Sequence, residues 1–293
     1  MAAVTDATRA AYDTVAEQYE KQFAYELDHK PLDRALLAAF AELAGPDGLI
    51  ADIGCGPGHV AAHLADLGRS VIGLDISPAM IEIARARYPA IEFHVGSMLD
   101  LPAADEAWAG AVLLYSIIHL APEDRRRAYR ELARVVRPDG LVLVAFHVSD
   151  AAHAPGEANV VREFLGQPVE LTGYFLAPDE VSAGLTHAGF AELARLEREP
   201  NLASGSTAAG RGAPIVSPGA WVGTAAGRGA PTVSAGAWVG TAAGRGAPTV
   251  SPGAWVGTAA GRGAPTVSPA ASASTAEYAS RRCYLLARRT LER

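Results

Sequence analysis

The chain has 293 residues, 49% of them hydrophobic, 19% charged, and a formal net charge of −7. That length suits one large α/β domain or two modest ones, and the acidic balance argues against nucleic acid, which selects basic faces. The two cysteines suggest neither a disulfide framework nor a metal centre. With no signal-like leader in Met1–Ala10 and no apolar run of about 18 residues, a soluble cytoplasmic protein with no membrane partner is expected.

Residues 1–45 are rich in Ala and Leu, with apolar residues at helical spacing: Tyr12, Val15, Ala16 and Tyr19, then Leu32, Leu36, Leu37 and Phe40. Two helices broken near Pro31 are expected. From Leu49 the pattern changes to short β-branched runs alternating with amphipathic stretches. Strands are predicted over 49–53, 71–75, 91–95, 111–114 and 141–146. Helices are predicted over 60–67, from Pro78, and from about Pro122 to Val136, the last stopped by Pro138-Asp139-Gly140. Ser77 offers an N-cap and Pro78 a first helical residue. Strands alternating with helices imply βαβ units, hence a mostly parallel sheet with helices on both faces.

Residues 150–200 read as an irregular stretch, a helix over 179–188 and a strand over 191–198. The next segment, 201–275, repeats a 17-residue unit marked by Arg211, Arg228, Arg245 and Arg262, and by Trp221, Trp238 and Trp255. Its Gly/Ala/Pro/Ser composition favours a flexible insertion, because so little apolar surface cannot offset the entropy of ordering. The regular tryptophans leave a folded array or a docking arm as the alternative. Residues 276–293 close the chain with one further strand at 282–287.

The chemistry is concentrated in Asp52-Ile53-Gly54-Cys55-Gly56-Pro57-Gly58, between a predicted strand and helix. Such a loop lets a ligand approach backbone without meeting a Cβ and presents free N–H groups at the helix start. At the end of the next strand stands Asp75, placed to accept both hydroxyls of a ribose. A dinucleotide-binding oxidoreductase shares these features, but its G-x-G-x-x-G spacing fails here: counted from Gly54, the third glycine falls on His59. Counted from Gly56 it falls on Ala61, which fits only a looser form. Asp52 would also repel a pyrophosphate, whereas it suits a cationic amino group.

These residues, with Asp75-Ile76-Ser77-Pro78-Ala79-Met80, Gly96 through Pro102, Trp108 through Leu120, Arg134 through Gly140 and Ala188-Gly189-Phe190, resemble the class I S-adenosylmethionine-dependent methyltransferases. The small bacterial type 11-like group is the nearest in pattern. The resemblance covers about residues 12–200 and the last twenty. It implies a Rossmann-like seven-stranded α/β sheet whose antiparallel last strand slots beside residues 191–198, with helices on both faces and an N-terminal helical lid. It divides the chain into a lid (1–45), a cofactor-binding core (46–200), the insertion (201–275) and the final strand (276–293).

The same resemblance assigns roles. Asp52 and the loop Gly54, Cys55, Gly56 and Gly58 hold the methionine end of S-adenosylmethionine. Asp75 takes the ribose, and Ile76 and Met80 pack on the adenine. Met98 offers its N–H to the ring, and the residue before it accepts from the exocyclic amine. That residue is commonly Asp in the family and is Ser97 here. Tyr115 lies beside the transferred methyl, and Tyr19, rather than Tyr12, is the expected lid contact.

Methyl transfer from a sulfonium is an in-line displacement, and a base is needed only if the acceptor must lose a proton. His119 and His147 are the candidates, since both follow strand ends. Lys30 is expected to be solvated. Tyr115-Ser116-Ile117-Ile118 lacks the Asn/Asp-Pro-Pro signature of base-amine methylation. The expected acceptor is a small metabolite methylated on O, N or C, within a pocket built from the lid and residues 148–176. A cofactor-binding module without catalysis is the alternative.

Overall fold

The computed structural model describes residues 2–199, 223–226, 238–243, 255–256, 259–260 and 280–290. Residues 1–200 with 279–293 form one compact unit, and 201–278 form a second.

The first unit opens with helix α1 (Ala2–Phe23), a 3-10 turn at Glu26–His29 and helix α2 (Pro31–Leu43). Pro31 does not merely break the pattern: it begins α2, where its missing N–H costs nothing. There follow β1 (Leu49–Ile53), α3 (His59–Asp66), β2 (Ser70–Asp75), α4 (Pro78–Arg87), β3 (Glu92–Val95) and β4 (Trp108–Leu114). The Ser77 hydroxyl accepts from Met80 N at 3.2 Å, the cap that the Ser-Pro pair predicted. A 3-10 turn at Ile117–His119 leads into α5 (Pro122–Val135), which carries Glu123 and Asp124 in its first turn and Arg134 in its last, both favourable to the helix dipole.

Strand β5 (Val136–Ser149) begins directly after α5, earlier than the Leu141 start expected. The stretch expected to be irregular contains a hairpin, β6 (Ala158–Phe164) and β7 (Gln167–Tyr174). Its two-residue connection, Leu165-Gly166, has φ of 52° and 76°, the primed-turn geometry that matches strand twist. Leu at a positive-φ turn position and Pro168 within a strand both run against local preference, which hides the hairpin in the sequence. Helix α6 (Pro178–His187) and strand β8 (Phe190–Arg198) complete this half.

The second unit is described through four short strands: β9 (Gly223–Ala226), β10 (Trp238–Ala243), β11 (Trp255–Val256) and β12 (Ala259–Ala260). All pair parallel, and Gly223 faces Gly240, Trp238 faces Trp255 and Ala242 faces Ala259. Equivalent positions of successive repeats are thus in register. The flexible insertion expected over 201–275 falls otherwise outside the described residues.

Strand β13 (Arg281–Arg289) returns to the first unit. The seven-stranded order is β3-β2-β1-β4-β5-β13-β8, with β13 antiparallel to both neighbours and β3 through β5 parallel. The α/β architecture with an inserted antiparallel last strand is therefore the one the sequence implied. Buried Trp108, Phe146 and Phe190 pack on one face and Phe40, Leu37 and Leu64 on the other. Each such side chain contributes about 1.5–3 kcal/mol by leaving water. Strand order reverses on either side of β1, so a crevice opens at the carboxyl ends of β1, β2 and β4. No described helix is long and apolar enough to cross a membrane.

Candidate active site

The turn after β1 is shaped by two glycines for different reasons. Gly54 has φ of 76°, and a Cβ there would lie 2.3 Å from Ser116 Cβ, so it allows β1 and β4 to close. Gly58 has φ of 85°, and its Cβ would meet Phe93 at 2.8 Å and Ala84 at 3.1 Å. That third glycine therefore serves packing of α3 against the β3–α4 layer rather than approach of a ligand. Cys55 is buried in the same cluster with Phe93.

Above this turn lies a cavity of about 860 Å³ including its mouth. Of the residues expected to bind cofactor or substrate, Tyr19, Gly54, Gly56, Asp75, Ile76, Met80, Ser97, Met98, Tyr115 and His119 all line it. Asp52, Cys55, Gly58 and His147 are not among its lining residues. Thr8, Leu120 and Asp124 line it and were not singled out in the sequence; Tyr12 lines it too, alongside the favoured Tyr19.

Asp75 accepts from Gly56 N at 2.8 Å and from Ser77 N at 2.9 Å, which fixes both carboxylate oxygens at the cavity wall. Burial raises its pKa, opposed by those backbone donors. Asp52, 2% exposed, sits beneath the loop with its Oδ2 lacking a hydrogen-bond partner among the described residues. Burial pushes its carboxyl up to about 7, with nearby His59 and an Ala61 backbone bond opposing. A buried carboxylate in this condition calls for a cation. The Asp75 carboxylate and the apolar wall of Ile76, Met80 and Met98, all lining the cavity, fit the ribose and base of S-adenosylmethionine, with the Asp52 carboxyl buried behind the turn rather than on the wall.

The roof is α1. Asp13 accepts from Ser77 Oγ at 2.6 Å and Ala79 N at 3.1 Å, tying the helix to the start of α4. Tyr12, one residue earlier, thereby faces His119, with its hydroxyl 2.7 Å from Nε2. His119 Nδ1 lies 2.8 Å from the Thr172 carbonyl of β7. A carbonyl only accepts, so Nδ1 carries the proton and Nε2 accepts from Tyr12. Burial lowers the His119 pKa, opposed by the Thr172 bond, so the imidazole is neutral at pH 7. Phe164 of the hairpin packs edge-on against Tyr12 and Tyr19.

His147 stands behind Tyr115, ring centroids 5.0 Å apart, and its Nδ1 is 2.7 Å from Ser280 Oγ. Burial and the charges of Arg282 and Lys30 push its pKa down to about 3. Tyr115 has a φ of 57°, a strained value for a non-glycine residue, held by a 2.8 Å bond between its hydroxyl and that of Tyr284. Lys30 is not solvated as expected. It is 3% exposed, bonded to Glu26 at 2.7 Å and placed over the Tyr115 ring. Burial tends to raise Glu26, but the His59 hydrogen bond and the Lys30 charge bring it to about 2. No group of three or more metal-ligating side chains occurs among the described residues.

Residues 50–140 match the methyltransferase domain family. An O-methyltransferase of Aspergillus sclerotiorum is 33% identical over 120 residues, 39% of this chain and 44% of that protein. A probable S-adenosylmethionine-dependent methyltransferase of Mycolicibacterium smegmatis is 33% identical over 160 residues, 51% and 59% of the two chains. The chain spans about half the length of the curated relatives it matches. Among solved structures, a SAM-dependent methyltransferase of Methanosarcina mazei superposes with a TM-score of 0.54 at 16% identity, covering 87% of this chain and 98% of that one. The strand order and this superposition show the fold of that methyltransferase, and residues 50–140, which carry the turn after β1, are similar to the methyltransferase domain family.

Proposed function

We propose that the protein binds S-adenosylmethionine and transfers its methyl group to a small molecule, as a member of the type 11-like group. The carrying observation is the charge of the cavity: among its described lining residues the charged side chains are Asp75 and Asp124, with no Lys or Arg. An acidic cleft over an orphaned Asp52 oxygen suits a sulfonium and an ammonium. It repels the pyrophosphate of a dinucleotide, which makes the oxidoreductase alternative the poorer fit. When bound, the sulfonium supplies an electrophilic methyl group.

The residues of the chain divide the remaining work. Asp52 neutralises the amino group, Gly54 and Gly56 let the methionine end lie against backbone, and Asp75 accepts from the ribose. Ile76, Met80 and Met98 hold the base, and Tyr19 and Tyr12 close over it and exclude water. Cys55 and Gly58 contribute through the shape of the turn. Tyr115 bounds the cavity beside the acceptor.

His119, neutral and with Nε2 turned to the cavity, serves as the base for an acceptor that must lose a proton, which favours a hydroxyl. Tyr12 then either yields its place on Nε2 to the acceptor or passes the proton on. His147 is one ring removed from the cavity and supports Tyr115 instead.

Calorimetric titration with S-adenosylmethionine and, in parallel, NADH tests this reading. Saturable binding of the first alone is expected. Binding of NADH alone, or of neither, overturns it.

A further inference from the structure

The second unit takes no part in the roles above. Ala242 and Ala243 of β10 pair with Ala225 and Ala226 of β9 and also with Ala259 and Ala260 of β12, so β10 is the interior strand between the two. Every pair in this unit is parallel and offset by 17 residues, the length of the repeat. The pairing is therefore between identical sequences: Trp-Val-Gly-Thr-Ala-Ala occurs at 221–226, 238–243 and 255–260.

Repeat arrays are normally finished by terminal copies of different sequence with a polar outer face. Here the outer strands β9 and β12 belong to copies that match the interior one residue for residue. Neither strand carries the lysine or proline that blunts an exposed edge. Among the described residues each pairs only with β10. One repeat length before the first copy the sequence reads Ser-Gly-Ser-Thr-Ala-Ala at 204–209, and one repeat length after the last it reads Ser-Ala-Ser-Thr-Ala-Glu at 272–277. Both have lost Trp-Val, so this chain holds no fourth copy of the strand sequence for either outer edge.

A second molecule does. In parallel, in-register pairing each strand is its neighbour shifted by about 4.8 Å, so the geometry that seats β9 on β10 seats an identical strand of another chain equally. The last copy of one chain then meets the first copy of the next, a head-to-tail contact that can extend. We propose that the repeat is an association surface for a second copy of this chain, through parallel, in-register pairing of its Trp-Val-Gly-Thr-Ala-Ala strands. Because β10 is only six residues long, the association is weak and concentration-dependent.

The test is the mass of the full chain in solution against its concentration, read by sedimentation equilibrium. Two variants accompany it. In one, residues 203–277 are replaced by a short linker; in the other, the same residues are shuffled, which removes the period and keeps length and composition. The full chain is expected to pass from monomer to at least twice that mass between about 1 and 100 µM, a micromolar association. Both variants are expected to stay monomeric over that range, with thermal unfolding showing that their first unit is folded. A full chain that stays monomeric overturns the proposal. So does a shuffled chain that associates as strongly as the full one, since composition then suffices. A shortened chain that does so overturns it too, since the contact then lies in the first unit.

Discussion

The floor of the cavity comes from short turns at the ends of neighbouring strands, whereas its roof comes from a helix far away in the chain. Asp75 ends a strand and Gly54, Ser97 and Tyr115 each follow one by one or two residues, and parallel pairing of β1 with β2 and β4 and of β2 with β3 brings them together. Tyr12 meets His119 across 107 positions, and His119 meets Thr172 across 53. The floor is thus fixed by local geometry repeated at one edge of a sheet. The roof depends on single tethers, chief among them Asp13 on the cap of α4. Rigid floor and tethered roof suit a site that must hold a cofactor and still admit a second substrate.

The sharpest way to break the floor is Gly54→Ala. The added Cβ would lie 2.3 Å from Ser116 Cβ at a backbone φ of 76°, so strain and clash act together. A loss of about 2–4 kcal/mol of stability is expected, with binding of S-adenosylmethionine abolished, read by denaturant unfolding and calorimetry. Retained binding at wild-type affinity would show that the turn is more tolerant than its packing implies.

Breaking the roof should separate chemistry from cofactor binding. His119→Ala is expected to lower kcat by about 100-fold or more, leaving cofactor affinity within about threefold, once an acceptor is found. The pH profile carries the sign of the same argument. Burial holds the His119 pKa below its ordinary 6.5, so the base form persists into mildly acidic solution and turnover falls only beneath that value. For stability the folded state binds fewer protons than the unfolded one between the lowered pKa and 6.5. That contribution is full above 6.5 and is lost as pH falls through the window. An acid limb centred above 6.5 would remove His119 as the base.

The smallest effect is expected from the second unit. Strands β8 and β13 pair directly, Arg198 opposite Arg282, so a short linker can join them without residues 203–277. Shortening that connection from about 80 to about 10 residues is three doublings, roughly 2 kcal/mol of recovered closure entropy. Cofactor binding should stay within about twofold and thermal stability should rise slightly. Lost binding would tie the repeat to the site.

The sheet was legible in the sequence because its signals are local: a buried apolar run, a Gly turn, a Ser-Pro cap and an acidic strand end recur with βα spacing. The cofactor side of the cavity inherits that legibility, as Asp75, Ile76, Met80 and Met98 show. Lys30 was misread because a lysine beside Asp28 and His29 looks solvated until Glu26 and the Tyr115 ring enclose it. The hairpin was missed because Leu165 and Pro168 contradict local preference and only packing against α1 compensates.

Outside the β6–β7 hairpin, local sequence thus determined the element types, their order and the strand-end turns, since these follow from backbone periodicity and from what Gly, Pro and Asp do within a few residues. Tertiary structure alone decided that Gly58 serves Phe93, that Tyr12 faces His119, that His147 stands behind Tyr115, and that Asp124 turns inward. Each of those depends on which surfaces meet across tens of residues, and no periodicity along the chain encodes that meeting.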